Sequence, residues 1–130
     1  MERLTAHFGL DEFLKGIPDG RTLPPAVRGN LQRLAERLEL LRIHWANRAI
    51  TVTLHGGWRP PDINAAAGGA VLSRHLTGEA ADIKVQGVKP SIVVAVALDT
   101  GLFGGIGVYP TWTHLDIRPR PPHSPVIWRV

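Results

Sequence analysis

Apolar residues recur with helical spacing along one stretch of the chain. Val27, Leu31, Leu34, Leu38, Leu41 and Trp45 fall at alternating steps of four and three, which places them on one helix face. The pattern predicts a helix from about Pro25 to Asn47, with Pro24 and Pro25 suited to its start. It reads as a scaffold without chemistry. Before it, residues 1–23 read as a short helix and a loop, with Leu10, Phe13 and Leu14 apolar and a turn at Pro18-Asp19-Gly20.

After the long helix the period shortens. Ile50 to Leu54 is rich in β-branched residues and reads as a strand, followed by the breaker-rich Gly56-Gly57-Trp58-Arg59-Pro60-Pro61. Ile63 to Val71, rich in alanine and glycine, reads as a short helix or a compact loop. Ala80 to Val85 reads as a second strand. Ser91 to Thr100 lies between Pro90 and Gly101; its β-branched content allows a strand, but its place between strands and its glycine stop favour a helix. Ile106 to Tyr109 and Thr113 to Ile117 predict two more strands, joined by a turn at Pro110 and Thr111. The proline-rich tail from Pro119 to Val130 is expected to be irregular. The sum is an α+β class: helices first, then a small, mainly antiparallel sheet, in one domain spanning residues 1–130.

Composition narrows the chemistry. Hydrophobic residues make up 44% of the 130, enough for a packed core. There is no cysteine, which excludes disulfides, a thiol nucleophile and any thiolate metal site. A metal would therefore need His, Asp or Glu, and the lack of thiols does not fix the compartment. The net charge of +4 and a pI near 10.3 serve solubility or favour an anionic partner. Arg28, Arg33, Arg37, Arg42 and Arg48 are scattered, and no run interleaves aromatic with basic residues, so nucleic acid is not the expected partner. No stretch has the length of a signal-peptide core or of a membrane span, so the expectation is a soluble chain made in the cytoplasm, without a signal peptide and without a membrane partner.

Of the six histidines, His75 and His114 have neighbours suited to a metal. His75 and Asp82 are seven residues apart. On a continuous helix they would stand about 10 Å apart along the axis, too far for one ion with ligand bonds of about 2 Å. The chain must therefore fold back between them. Thr77-Gly78 supplies the flexible point, and the small Ala80 and Ala81 permit close packing of the next strand. In Thr113-His114-Leu115-Asp116, His114 and Asp116 share a strand face, about 6.6 Å apart at the backbone. One can bind a metal while the other handles a proton on water. Two imidazoles, one carboxylate and an open fourth position make the pattern of a catalytic zinc site.

At these residues the chain resembles the M15 family of zinc peptidases, the D-alanyl-D-alanine carboxypeptidase and phage endolysin group, and within it the C-terminal-type domain of subfamily A. The family pattern Ser-x-His-x-x-Gly-x-Ala-x-Asp is matched by Ser73, His75, Gly78, Ala80 and Asp82. His114 in Thr-His-Leu-Asp fits the third ligand, and Gly57-Trp58-Arg59 resembles the family's Gly-Tyr-Arg. Asn64 with Gly68-Gly69, residues 104–110, and the N-terminal residues 4–8 with Glu12-Phe13 extend the resemblance over nearly the whole chain.

The resemblance implies one Zn2+ per chain on His75, Asp82 and His114, and a fold of the hedgehog and DD-peptidase type. It also implies hydrolysis of peptide bonds in peptidoglycan peptides, as carboxypeptidase or endopeptidase. Many relatives carry a Glu three residues before the third ligand, where this chain has Thr111, or a His two before it, where it has Trp112. Asp116 is therefore expected as the general base, with orientation of a ligand histidine as the alternative; Glu79, expected to face solvent, is the outside candidate. Arg59 is expected to meet a carboxylate or oxyanion, or else to form a structural salt bridge. Ser73 bonds substrate or shapes its loop; Tyr109 and Trp112 line the cleft or belong to the core. His7, His44, His55 and His123 read as structural or exposed. The protein is expected to reach the wall after release or within a phage particle, with other phage tail or lysis proteins as candidate partners. The missing Glu motivates a rival: a zinc-containing wall-binding or phage structural module without hydrolysis.

Overall fold

A computed structural model describes residues 2–46 and 48–130. The first long element is α1 (Pro25–Arg42), entered through Pro24 and Pro25. Val27, Leu31, Leu34, Leu38 and Leu41 form its buried stripe, as the spacing predicts, with Ala35 beside them; Trp45, the sixth predicted position, falls in the turn that follows. The helix is shorter than expected: a 3-10 turn at Ile43–Trp45 follows it, and the last predicted position, Asn47, lies outside the described residues. Ahead of α1, the short helix is a 3-10 turn at Leu10–Leu14 whose Phe13 is buried.

Five strands follow: β1 (Ile50–Val52), β2 (Ala80–Val85), β3 (Gly105–Val108), β4 (Thr113–Asp116) and β5 (Val126–Arg129). Two helices interleave with them, α2 (Pro61–Ala66) and α3 (Pro90–Thr100). The sheet order is β1-β2-β4-β3-β5, antiparallel except for the parallel β3–β5 edge. The fold is thus α+β with a mainly antiparallel sheet. One expectation is corrected: the tail is not wholly irregular. After its prolines, Val126, Ile127 and Trp128 form a strand against β3, a pairing that β-branched and aromatic side chains favour.

Alternation along the strands gives the sheet two faces. Ala81, Ile83, Val85, Ile106 and Leu115 join the buried apolar cluster with the stripe of α1 and with Val93, Val94 and Ala97 of α3. Asp82, His114 and Asp116 take the opposite parity and project to the other face. Packing thus fixes the register, because a slip of one residue would exchange the two sets. Among the described residues, no helix is long and apolar enough to cross a membrane.

Leu34 is fully buried and Leu40, on the same helix, is about half exposed. Leu34→Ala is expected to cost about 2–5 kcal/mol in a chemical denaturation titration. Leu40→Ala should stay within about 0.5 kcal/mol of the parent.

Candidate metal centre

The site rests on a turn, a strand pair and a pinned loop. Ser73 opens a 3-10 turn at Arg74–Thr77, its hydroxyl accepting from the His75 backbone N–H at 3.2 Å. Gly78 closes that turn with φ +78°, a left-handed conformation that side chains disfavour. A Cβ there would also lie 2.8 Å from the Val27 carbonyl oxygen. The chain then enters β2, where Ala80 and Ala81 are fully buried. The fold-back expected at Thr77-Gly78 is therefore present.

Antiparallel pairing sets Asp82 opposite His114 and Ala80 opposite Asp116. The loop after β1 brackets the backbone of Asp82: Thr53 N–H donates to its carbonyl at 2.9 Å, and its own N–H donates to Gly56 at 2.8 Å. Further along, Arg59 N–H donates to the His75 carbonyl at 3.0 Å. Three chain segments are thereby locked at one point.

One nitrogen each of His75 and His114 and one oxygen of Asp82 lie within 4.8 Å of one another, and all three residues are buried. His75 Nε2 is 3.3 Å and His114 Nδ1 3.1 Å from the same Asp82 Oδ1. The outer nitrogens have separate partners. His75 Nδ1 lies 2.9 Å from the Gly57 carbonyl oxygen, to which it can only donate. His114 Nε2 lies 2.8 Å from Asp116 Oδ2. Partners on the two outer nitrogens leave both inner nitrogens facing one region, where Asp82 shares them and an ion can take their lone pairs. Such outer partners fix tautomer and ring orientation in metal-binding histidines. Two neutral imidazoles and a carboxylate fit a divalent zinc-type ion.

The carboxylates are held ionised. Burial pushes Asp82 up, but hydrogen bonds from His114 and His75 more than offset it and hold the acid well below the usual range. Burial likewise pushes Asp116 up, and His114 and Arg118 more than reverse it. His114 is lowered by burial and raised, in net, by Asp116 and Asp82.

The family model for peptidase M15 matches residues 6–116. This chain belongs to peptidase family M15. The match spans the long helix, the fold-back turn and both ligand-bearing strands, and it ends at Asp116. A search of curated proteins gives no match.

Within this M15 domain, the predicted ligands come together and the two expected catalytic residues are each engaged by neighbouring groups. Asp116 is fully buried behind His114 rather than on the open side of the cluster. Arg118 saturates it: Nε donates to Oδ1 at 2.8 Å, Nη2 to Oδ2 at 2.7 Å, and the backbone N–H to Oδ1 at 3.1 Å. This geometry suits orientation of His114, the alternative reading, rather than proton abstraction from water. Arg59 also faces inward: Nη2 donates to Asp82 Oδ2 at 3.1 Å and Nε to the His55 carbonyl at 2.7 Å. It forms a salt bridge with a candidate ligand while it also lines the cleft. Glu79 is not solvent-facing; it accepts from Thr77 Oγ1 at 2.6 Å and pairs with Arg74.

A cleft of about 490 Å³ lies over the cluster, lined by Arg59, residues 67–70, residues 72–74, Tyr109, Trp112, Arg118 and Trp128 besides the three candidate ligands. Tyr109 and Trp112 stack at 4.7 Å as one aromatic wall. Ser73 lines the cleft while it shapes the turn. Across from the wall, Asn64 pins the small-residue loop by donating to the Ala70 carbonyl at 2.9 Å. A Cβ on Gly69 would strike the side-chain oxygen of Asn64, so that seat requires glycine. His55 stays outside the cleft, with φ +58° and its ring beside the Gly16 carbonyl. Sequence reasoning missed Arg118 and Trp128. Arg118 lies two residues beyond Asp116, and that spacing was its available signal; Trp128 lies in a tail that reads as irregular.

Removing the outer partner should weaken the metal without erasing the site. Asp116→Asn is expected to lower zinc affinity about 10–100-fold, whereas His75→Ala should abolish stoichiometric binding, as read by chelator competition. A proton on His114 must leave before Nδ1 can bind a metal. Its raised affinity for that proton therefore makes zinc affinity fall with falling pH, by about tenfold per pH unit for each proton displaced. Titration across neutrality checks the slope.

Proposed function

We propose that this M15 peptidase is a zinc-dependent hydrolase of peptide bonds in peptidoglycan, cutting a stem peptide or cross-link as a carboxypeptidase or endopeptidase. The observation that carries the zinc dependence is the convergence of His75, Asp82 and His114 within 4.8 Å at the floor of an open cleft. His75 Nε2, Asp82 Oδ1 and His114 Nδ1 would hold the ion. When bound, zinc supplies Lewis-acid polarisation of a carbonyl and lowers the pKa of water.

The chain's own groups do the rest. Gly57 O and Asp116 hold the outer nitrogens of the two histidines and so fix which nitrogen of each ring faces the ion. Arg59 and Arg118 neutralise the two carboxylates and hold them in place. The stacked Tyr109–Trp112 wall and the loop of residues 67–73 bound a slot that takes an extended peptide of small residues. Arg74 and Arg118 also line the slot, each paired with an acid, and the chain's net charge of +4 suits a substrate held in an anionic polymer such as the wall. Release during phage lysis, or carriage on a phage particle, is the route to the wall that fits this substrate.

A second reading has one observation in its favour. Among the described residues, the cleft lining contains one carboxylate, Asp82, and that is a candidate ligand. A site that keeps zinc and binds wall peptides without cutting them would look the same.

Digestion of purified peptidoglycan, with mass spectrometry of the released muropeptides, separates the two. The expected result is new free amino termini or released terminal residues, lost with chelator and restored by zinc. Zinc-loaded protein that sediments with wall material yet releases nothing would establish the binding module. Arg59→Ala is expected to lower zinc affinity about 10–100-fold rather than only raise KM, because the guanidinium braces Asp82.

A further inference from the structure

β5 is an unusual edge strand. Val126 and Ile127 are about 37% and 45% exposed, and Arg129 is exposed as well. Its one inward side chain is Trp128. The strand therefore contributes little to the apolar core, and its packing is concentrated in one indole at the metal centre.

That indole has a prepared seat. Register places Trp128 beside Gly107, and Gly107 beside His114. A Cβ on Gly107 would lie 2.8 Å from the indole Nε1 and Cε2, and 2.8 Å from the Tyr109 ring. The absence of a side chain there lets the indole lie across β3 to the His114 ring, at 4.8 Å between centroids. Arg118, which holds Asp116, stands 5.3 Å over the same indole. The indole Nε1–H donates to Tyr109 Oη at 3.3 Å. A phenol that accepts on its oxygen keeps its own O–H to donate. Tyr109 lines the cleft, so its remaining proton is available there.

The geometry points to Trp128 as a positioning residue of this site: it braces His114 and Arg118 on one edge and, through its N–H, orients the Tyr109 hydroxyl as a hydrogen-bond donor to the peptide in the cleft. The residue lies beyond the segment that matches the family model, so the chain completes its site with a strand outside that match. The Tyr109 part rests on the peptidase reading; the His114 part rests on the site alone.

Two arms test it. The first measures turnover of a peptidoglycan peptide in a double-mutant cycle. Trp128→Phe keeps a ring on Gly107 but removes the N–H, and Tyr109→Phe removes the hydroxyl. Each is expected to lower kcat by about tenfold with zinc content and Tm retained, and the double variant should fall no further than either single one. Losses that multiply would overturn the coupling. The second arm needs no activity. Trp128→Ala should raise the zinc dissociation constant about tenfold, and Trp128→Phe should restore it. Should Trp128→Ala not fold, Trp128→Leu carries the same arm, offering apolar bulk without a ring. Unchanged zinc affinity in a folded variant overturns the bracing of His114. If the parent holds zinc but cleaves nothing, the peptidase reading fails in the first arm, and the second still decides the role of Trp128.

Discussion

The antiparallel pairing of β2 with β4 is the constraint on which the site depends. It sets Asp82 across from His114 and Ala80 across from Asp116, so one register creates both the ligand pair and the space for its support. Apolar burial enforces that register. Ala81, Ile83 and Leu115 point into the packed face beneath α1 and α3, and a one-residue slip would bring the polar set into the core. A core that buries hydrocarbon on one side of the sheet thus specifies the geometry of the candidate ligands on the other. His75 is the one candidate ligand off the sheet, and it is delivered by the left-handed turn at Gly78 and pinned from behind by the Gly57 carbonyl.

Concentrating carboxylates and histidines under a cleft carries an electrostatic cost that the surrounding charges offset. Two buried acids would repel each other and resist ionisation. Each has its own arginine: Arg59 on Asp82, with side chains about 12% and 11% exposed, and Arg118 on Asp116. The result is a charge ladder in which arginine, carboxylate and imidazole alternate toward the cleft. The two carboxylates on either side of His114 favour its protonated form, which is why that histidine is raised despite its burial. An ion binding there replaces a proton in a frame already folded.

Much of this was legible in the sequence because it rests on local patterns. The stripe from Val27 to Leu41, the strand at Ala80–Val85 and the fold-back at Gly78 each follow from spacing and residue type. The ligand triad is what the family resemblance implies, and one ion shared by His75 and Asp82 in turn requires the fold-back between them. What escapes such reading is non-local. Strand parity correctly puts Asp116 on the face of His114, but parity cannot tell whether a carboxylate lies before or behind an imidazole. That depends on Arg118, which takes both Asp116 oxygens and leaves none for water. The direction of Arg59 likewise depends on the His55 carbonyl, held by a left-handed residue that no pattern flags. The tail misleads because its prolines dominate its composition, while β5 exists only by pairing with a strand about 20 residues earlier.

Glycines at the sheet's far edge show how tightly support and site are joined. At Gly105 a Cβ would strike Asp116 Oδ2, and at Gly107 it would strike the indole of Trp128. Both glycines sit on β3, on the face shared with His114, and neither has a positive φ, so their backbone conformations do not call for glycine. What they supply is vacancy. One vacancy receives the carboxylate that orients His114; the other receives the indole that flanks it. A strand with glycines at Gly105 and Gly107 would ordinarily be weakened. Here it leaves a trough between β4 and β5 in which the outer support of the metal centre lies, and β5 closes the trough. Gly105 thus serves Asp116 by itself, whereas Gly107 and the edge strand that carries Trp128 act as one device.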